Sequence, residues 1–215
     1  NDLYNIEACG GVGAIYHVGK YKDNNPDVCY ENMAQHIFDA LQQSEDLGIN
    51  SNFILETAAG QKSEMLTDLV DFGEFYRNVV ERLPETQKNR FKVCIDTCHV
   101  FSAGYDLSSR DAVDGFEEIV TTNIGWDNVE LFHFNDSLTQ LNSRVDRHQT
   151  WGAGFITEFD KDIPYYMIKK FGFEHKKPIV LETPVPKDET FISYRKQETD
   201  RMWKEYSNLL ENKII

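Results

Sequence analysis

Two hydrophobic rhythms alternate along the chain. Short apolar runs occupy residues 14–16, 52–55, 91–95, 129–132 and 178–181. Each is too short for a helix and is rich in Val, Ile, Leu or Phe, so each reads as a buried strand. Between them the apolar positions recur at helical spacing. Residues 30–47 carry Met33, Ile37, Phe38, Leu41 and Leu47, and residues 65–83 carry Leu69, Phe72, Phe75, Val79 and Val80. Residues 111–124 and 165–171 predict shorter helices, and residues 190–210 a long polar-faced one. This alternation predicts βα units on a parallel sheet, an α/β fold in one domain with no Pro-rich or Gly/Ser-rich linker. The units share no sequence self-similarity, which argues against a solenoid.

The residue that closes each apolar run carries the chemical signal. The five runs lead into His17, Glu56, Asp96, His133 and Glu182, with His99 one turn beyond Asp96. Successive closing residues are 39, 40, 37 and 49 positions apart, one βα unit each with an insertion before the last. The carboxyl ends of parallel strands converge on one face of a barrel. In an open doubly wound sheet they also point one way, strung out along an edge. One His or Glu after a strand is unremarkable, because strand ends are solvated. Five of five drawn from His, Asp and Glu point to a site for zinc, manganese or iron.

Charge complicates this picture. The 215 residues include 22 basic and 36 acidic side chains, for a net charge of −14. That sign excludes a protein that simply coats nucleic acid, so DNA affinity would have to come from a local patch or from bound cations. The chain shows no run of about 20 apolar residues and no signal segment. Its four cysteines are too few for a disulfide framework, which places the expected setting in a reducing, intracellular compartment, cytoplasm or nucleus. No protein partner is implied.

Two local motifs sharpen the site. In Cys94-Ile95-Asp96-Thr97-Cys98-His99 a carboxylate and an imidazole stand three apart where a strand is expected to give way to a loop. Cys94 and Cys98 lack a second cysteine pair and read as buried structural thiols. In Ser143-Arg144-Val145-Asp146-Arg147-His148, Asp146 and His148 can grip one ion while Arg144 and Arg147 face phosphates. A salt-bridged surface turn is the competing reading of that loop. His36 reads as a partly buried helix residue and His175 as a solvated loop residue, and neither is given a role.

These motifs are similar to those of one known family. Leu55-Glu56-Thr57-Ala58-Ala59-Gly60-Gln61, Cys94 to His99 with Ala103-Gly104-Tyr105-Asp106, His133-Phe134-Asn135-Asp136, Ser143 to His148 and Leu181-Glu182-Thr183 resemble the signatures of the endonuclease IV family, zinc-dependent apurinic/apyrimidinic endonucleases, in order and spacing. The resemblance runs from about Tyr16 to Leu210. It implies a (β/α)8 TIM barrel of the xylose-isomerase-like type holding three zinc ions. His17 would serve the first ion, Glu56 would bridge the first two, and Asp96, His133 and Glu182 would complete the second. His99, Asp146 and His148 would hold the third.

The implied activity is hydrolysis of the phosphodiester 5′ to abasic sites in double-stranded DNA, leaving a 3′-hydroxyl, with trimming of 3′ ends as a further activity of base excision repair. Glu56 and Glu182 are the expected catalytic carboxylates, and no side-chain nucleophile is needed. Three departures stand out. The family's further histidine for the first zinc has no counterpart before His17. Only about five βα units are visible, so the chain is expected to be the carboxyl-terminal part of a barrel lacking the first three. Ala153, within Gly152-Ala153-Gly154, stands where an acidic residue is expected. Two rival readings remain: a metal-dependent sugar isomerase or epimerase, and an inert metal-binding fragment.

Overall fold

The computed structural model describes residues 2–185 and 190–212. In chain order these form α1 (Asp2–Ala8), β1 (Gly13–Tyr16), α2 (Pro26–Asp46), β2 (Asn52–Glu56), α3 (Leu69–Arg82), α4 (Glu85–Lys88), β3 (Phe91–Asp96), α5 (Thr97–Ala103), α6 (Arg110–Asn123), β4 (Val129–His133), β5 (Asp136–Ser137), β6 (His148–Gln149), α7 (Ile163–Met167), β7 (Ile179–Val180) and α8 (Phe191–Glu211). A π-helical stretch, Ile168–Glu174, extends α7. β1, β2, β3, β4 and β7 form one parallel sheet in that order, and β5 and β6 pair antiparallel beside it. The expected parallel sheet of βα units is observed, with five parallel strands among the described residues.

Capping chemistry explains where the helix boundaries depart from the hydrophobic pattern. α2 starts at Pro26 because the Asn25 side chain accepts from the main-chain N–H groups of Asp27 and Val28. α3 starts only at Leu69, where the Asp68 side chain accepts from Val70. The segment after Asp96 is a helix instead of the expected loop: the Asp96 side chain accepts from the His99 N–H at 2.9 Å, and Gly104 closes α5 at φ 110°. The two histidines set aside also behave differently from expectation. His36 is exposed on α2. His175 is half-buried, stacked on Trp126 with ring centroids 3.6 Å apart and bonded to Glu117 at 2.6 Å.

The alternation of side chains along a strand sets the position of the site. One face of the sheet sends Phe53, Leu55, Val93, Ile95 and Phe132 into the main core beneath the helices. The other face carries Ile54, Cys94 and Leu131 in a small apolar layer with Ile15 at its margin. Two residues further along the same four strands, on that same face, come His17, Glu56, Asp96 and His133. Register sets Asp96 level with His133, while Glu56 stands opposite Cys94, two residues before Asp96. Among the described residues, no helix is long and apolar enough to cross a membrane.

Candidate metal centre

All five strand-end residues meet. Glu56, 2% exposed, faces His133 Nδ1 at 2.7 Å and His17 Nε2 at 3.0 Å. His133 Nδ1 also lies 3.0 Å from Glu182 Oε2 and 3.9 Å from Asp96 Oδ2. Glu56, Asp96, His133 and Glu182 each offer one ligand atom within 4.8 Å of the others. Asp96 and His133 are buried, while Glu182 and His17 are open to solvent.

A second group gathers beside the first. His99, from the first turn of α5, points Nε2 at Asp146 Oδ1 at 3.3 Å. His148, on β6, points its own Nε2 at the same oxygen at 3.4 Å and at Asp96 Oδ2 at 3.5 Å. The β5–β6 pairing, Ser137 opposite His148, folds the intervening loop back so that Asp146 and His148 reach the strand ends. The competing reading of this loop as a surface turn fails, because Asp146 and His148 turn inward. Arg144 and Arg147 lie exposed on the same loop, their side chains bonded to Asn142 Oδ1 and to the Asp146 carbonyl.

The donor set fits divalent metal ions. The Nε2 atoms of His99 and His148 are buried without a hydrogen-bond partner, although each faces a carboxylate oxygen. Leaving two imidazole nitrogens unsatisfied is costly, and an ion between them and the carboxylates removes that cost. The His99 tautomer suits this arrangement: Nδ1–H donates to the Thr57 carbonyl at 2.8 Å, leaving Nε2 free to ligate. Cys94 and Cys98 lie within the same reach. Burial raises the Cys94 thiol well above its ordinary range and pushes Cys98 up to about 12, so both are protonated in the metal-free chain. Imidazole and carboxylate without thiolate is a borderline-to-hard donor set.

The electrostatics of the group show what a cation would replace. Burial would raise the Glu56 carboxyl, but hydrogen bonds from His133 and His17 and the nearby His99 charge override it and hold Glu56 down at about 2. Burial works against charge on His99, yet Asp96, Asp146 and Glu56 push this imidazole up to about 10. His133 is raised against its own burial by Glu56, Glu182 and Asp96, and His17 is raised chiefly by its bond to Glu56. Asp146 is lowered by the His99 ring beside it. Protons on the imidazoles thus balance the clustered acids, in places where a metal would compete for the same nitrogens.

Sequence reading missed several supporting groups: the Thr57 carbonyl, Thr97 and Asn135. The Asp136 carboxylate is fully buried and accepts from the main-chain N–H groups of Ser137, Gly152, Gly154 and Ile156 and from Thr157 Oγ1. It anchors the loop around Ala153 from within. Neutral and backbone groups carry no ligand signature; Thr57, Thr97, Asn135 and Asp136 all stood in the motif runs without a role.

The profile of the xylose isomerase-like TIM barrel family that includes AP endonucleases matches residues 4–211. The chain belongs to the endonuclease IV family. An endonuclease 4 homologue of Acanthamoeba polyphaga mimivirus is 34% identical over 193 residues, covering 86% of this chain and 58% of that protein. The probable endonuclease 4 of Nitrosopumilus maritimus is 31% identical over 195 residues, covering 89% of this chain and 65% of that protein. The chain therefore spans about three-fifths of the length of these relatives. Among solved structures, endonuclease IV from Thermus thermophilus superposes with a TM-score of 0.68 at 22% identity, over 98% of this chain and 66% of that one. The 3-keto-D-glucoside 4-epimerase of E. coli superposes at 0.59 with 13% identity, over 94% and 67%. At these identities both likenesses establish the fold alone.

Proposed function

We propose that the chain carries the metal centre of a zinc-dependent DNA repair phosphodiesterase that cuts on the 5′ side of abasic sites in duplex DNA, leaves a 3′-hydroxyl and trims 3′ ends. The observation that carries this reading is the pair of unpartnered Nε2 atoms, on His99 and His148, aimed with Asp146 and Asp96 into the space beside the Glu56 group. In this reading His17 and Glu56 serve one ion, and Glu56, Asp96, His133 and Glu182 a second. His99, Asp146 and His148 serve a third. Zinc, when bound, supplies Lewis acidity and positive charge against a phosphoryl group.

The chain's own residues do the rest. Glu56 and Glu182 both place negative charge against the same nitrogen of His133, Nδ1, at 2.7 and 3.0 Å. Arg144 and Arg147 are exposed on the loop that carries Asp146, where planar guanidinium groups can grip backbone phosphates in two-point contacts. The bound cations and these arginines give a net-acidic chain its local affinity for a polyanion. Relatives bearing the endonuclease 4 name favour this reading over the sugar-isomerase reading, which has support at the level of fold only.

The test is incision of a duplex bearing one abasic analogue, with and without chelator, alongside Glu56→Gln and Glu182→Gln. Chelator-sensitive cutting on the 5′ side, lost in both variants, is the expected result. Isomerisation of a free sugar with the duplex intact would favour the sugar reading. Metal uptake with neither activity would mark an inert metal-binding chain.

A further inference from the structure

Asn135 follows the β4 strand end at a position with no exposed surface. Its amide is neutral, and both of its ends are committed to protein groups. The side chain reaches two other strands. Nδ2 donates to Asp96 Oδ2 at 2.7 Å, and Oδ1 accepts the main-chain N–H of Glu182 at 2.9 Å. Its main chain is locked as well: the N–H donates to Thr97 Oγ1 at 2.8 Å, and the carbonyl accepts from that hydroxyl at 2.7 Å. The amide has a single orientation, because a carboxylate can only accept and a main-chain N–H can only donate. Turning it over would break both side-chain bonds.

Each of these bonds lands on a group whose aim matters. Asp96 Oδ1 is committed to the His99 N–H at the start of α5. Asp96 Oδ2, the oxygen that Asn135 holds, stands 3.5 Å from His148 Nε2 and 3.9 Å from His133 Nδ1. Glu182 lies beyond β7, whose ladder with β4 pairs only Ile179 and Val180. The last main-chain bond of that ladder runs from Phe134 N to Val180 O, short of Glu182. The Asn135 side chain supplies the bond that carries the connection on to Glu182.

We propose that Asn135 is a positioning residue of the metal centre, a neutral clamp that aims the Asp96 and Glu182 carboxylates, from two different strands, at a shared divalent cation. This rests on the reading of the site as a metal centre. Groups that orient ligands from behind govern affinity by about 10- to 100-fold. Losing Asn135 releases one ligand's rotamer and the other ligand's backbone together.

The test uses the full chain stripped with chelator, as wild type, Asn135→Ala and Asn135→Ser. Zinc affinity is read by competition with a chromophoric chelator, Co²⁺ coordination by its visible absorption, and folding by far-UV circular dichroism. Both variants should fold, bind zinc about 10- to 100-fold more weakly and give an altered Co²⁺ spectrum. If Asn135→Ala does not fold, Asn135→Ser decides, since a hydroxyl fills part of the space yet is too short to reach Asp96 and Glu182 together. Folded variants with wild-type affinity and spectrum overturn the clamp while leaving the metal centre standing. Two unfolded variants overturn it too, making Asn135 a folding residue. A wild-type chain that takes up no zinc or Co²⁺ removes the metal reading itself, and the clamp with it.

Discussion

Glu56→Gln in the metal-free chain probes what holds the cluster together before any ion arrives. The wild-type carboxylate is buried, with His133 Nδ1 at 2.7 Å and His17 Nε2 at 3.0 Å, and it sits at about 2 instead of 4.5. At about 1.36 kcal/mol per unit, that depression corresponds to about 3 kcal/mol. Gln keeps the shape and one acceptor oxygen, so the expected loss of stability is about 1–3 kcal/mol. Because the folded carboxyl is depressed, its contribution is fully present above pH 4.5 and is lost as pH falls through about 2. The gap between wild type and variant should therefore be open at both pH 5 and pH 7. Urea unfolding after exhaustive chelation, followed at both pH values, measures it. A variant as stable as wild type, or more so, would refute the reasoning. It would mean that repulsion among Glu56, Asp96, Asp146 and Glu182 outweighs their pairing with the histidines.

Two further outcomes follow from the same geometry. Zinc binding at pH 7 should release at least one proton per chain, because the His99 imidazole is pushed up to about 10 in the metal-free state and must be neutral to ligate; calorimetry in buffers of different ionisation enthalpy reads this, and zero release would show that the clustered acids do not hold a proton on His99 before the ion binds. Gly154→Ala should cost about 1–3 kcal/mol in urea unfolding, since a Cβ there would stand 2.4 Å from Asp136 Oδ1 and 2.5 Å from the Ser137 carbonyl; a neutral effect would show that the loop around Asp136 yields freely.

The strand half of the molecule was legible because burial on both faces writes itself as short apolar runs. Residues 52–55, 91–95 and 129–132 became β2, β3 and β4 almost unchanged. Reading the closing residues gave the cluster directly, since a period of two puts Glu56 above Ile54, Asp96 above Cys94 and His133 above Leu131. What was missed depended on polar contacts made at a distance. α5 is launched by the Asp96 carboxylate, a residue read only as a ligand. His175 looked like a loop residue beside two lysines, yet Trp126 and Glu117, some fifty positions earlier, hold it. The β5–β6 pairing that turns Asp146 and His148 inward is two residues long, too short for any periodicity to register.

The apolar layer of Ile54, Cys94 and Leu131 has a consequence for how the cluster exchanges with its surroundings. It forms a dry floor, with exposures of 1%, 0% and 9%, directly beneath Glu56, Asp96 and His133. The cluster is closed on that side and opens on the other, where the His17 and Glu182 side chains are exposed and those of Asp146 and His148 partly so. The charge of the buried acids is consequently projected in a single direction. In a chain of net charge −14 this fixes where the field can be reversed. Under the proposed function, cations loaded at the mouth would change the sign presented to a polyanion there while the rest of the surface stays repulsive.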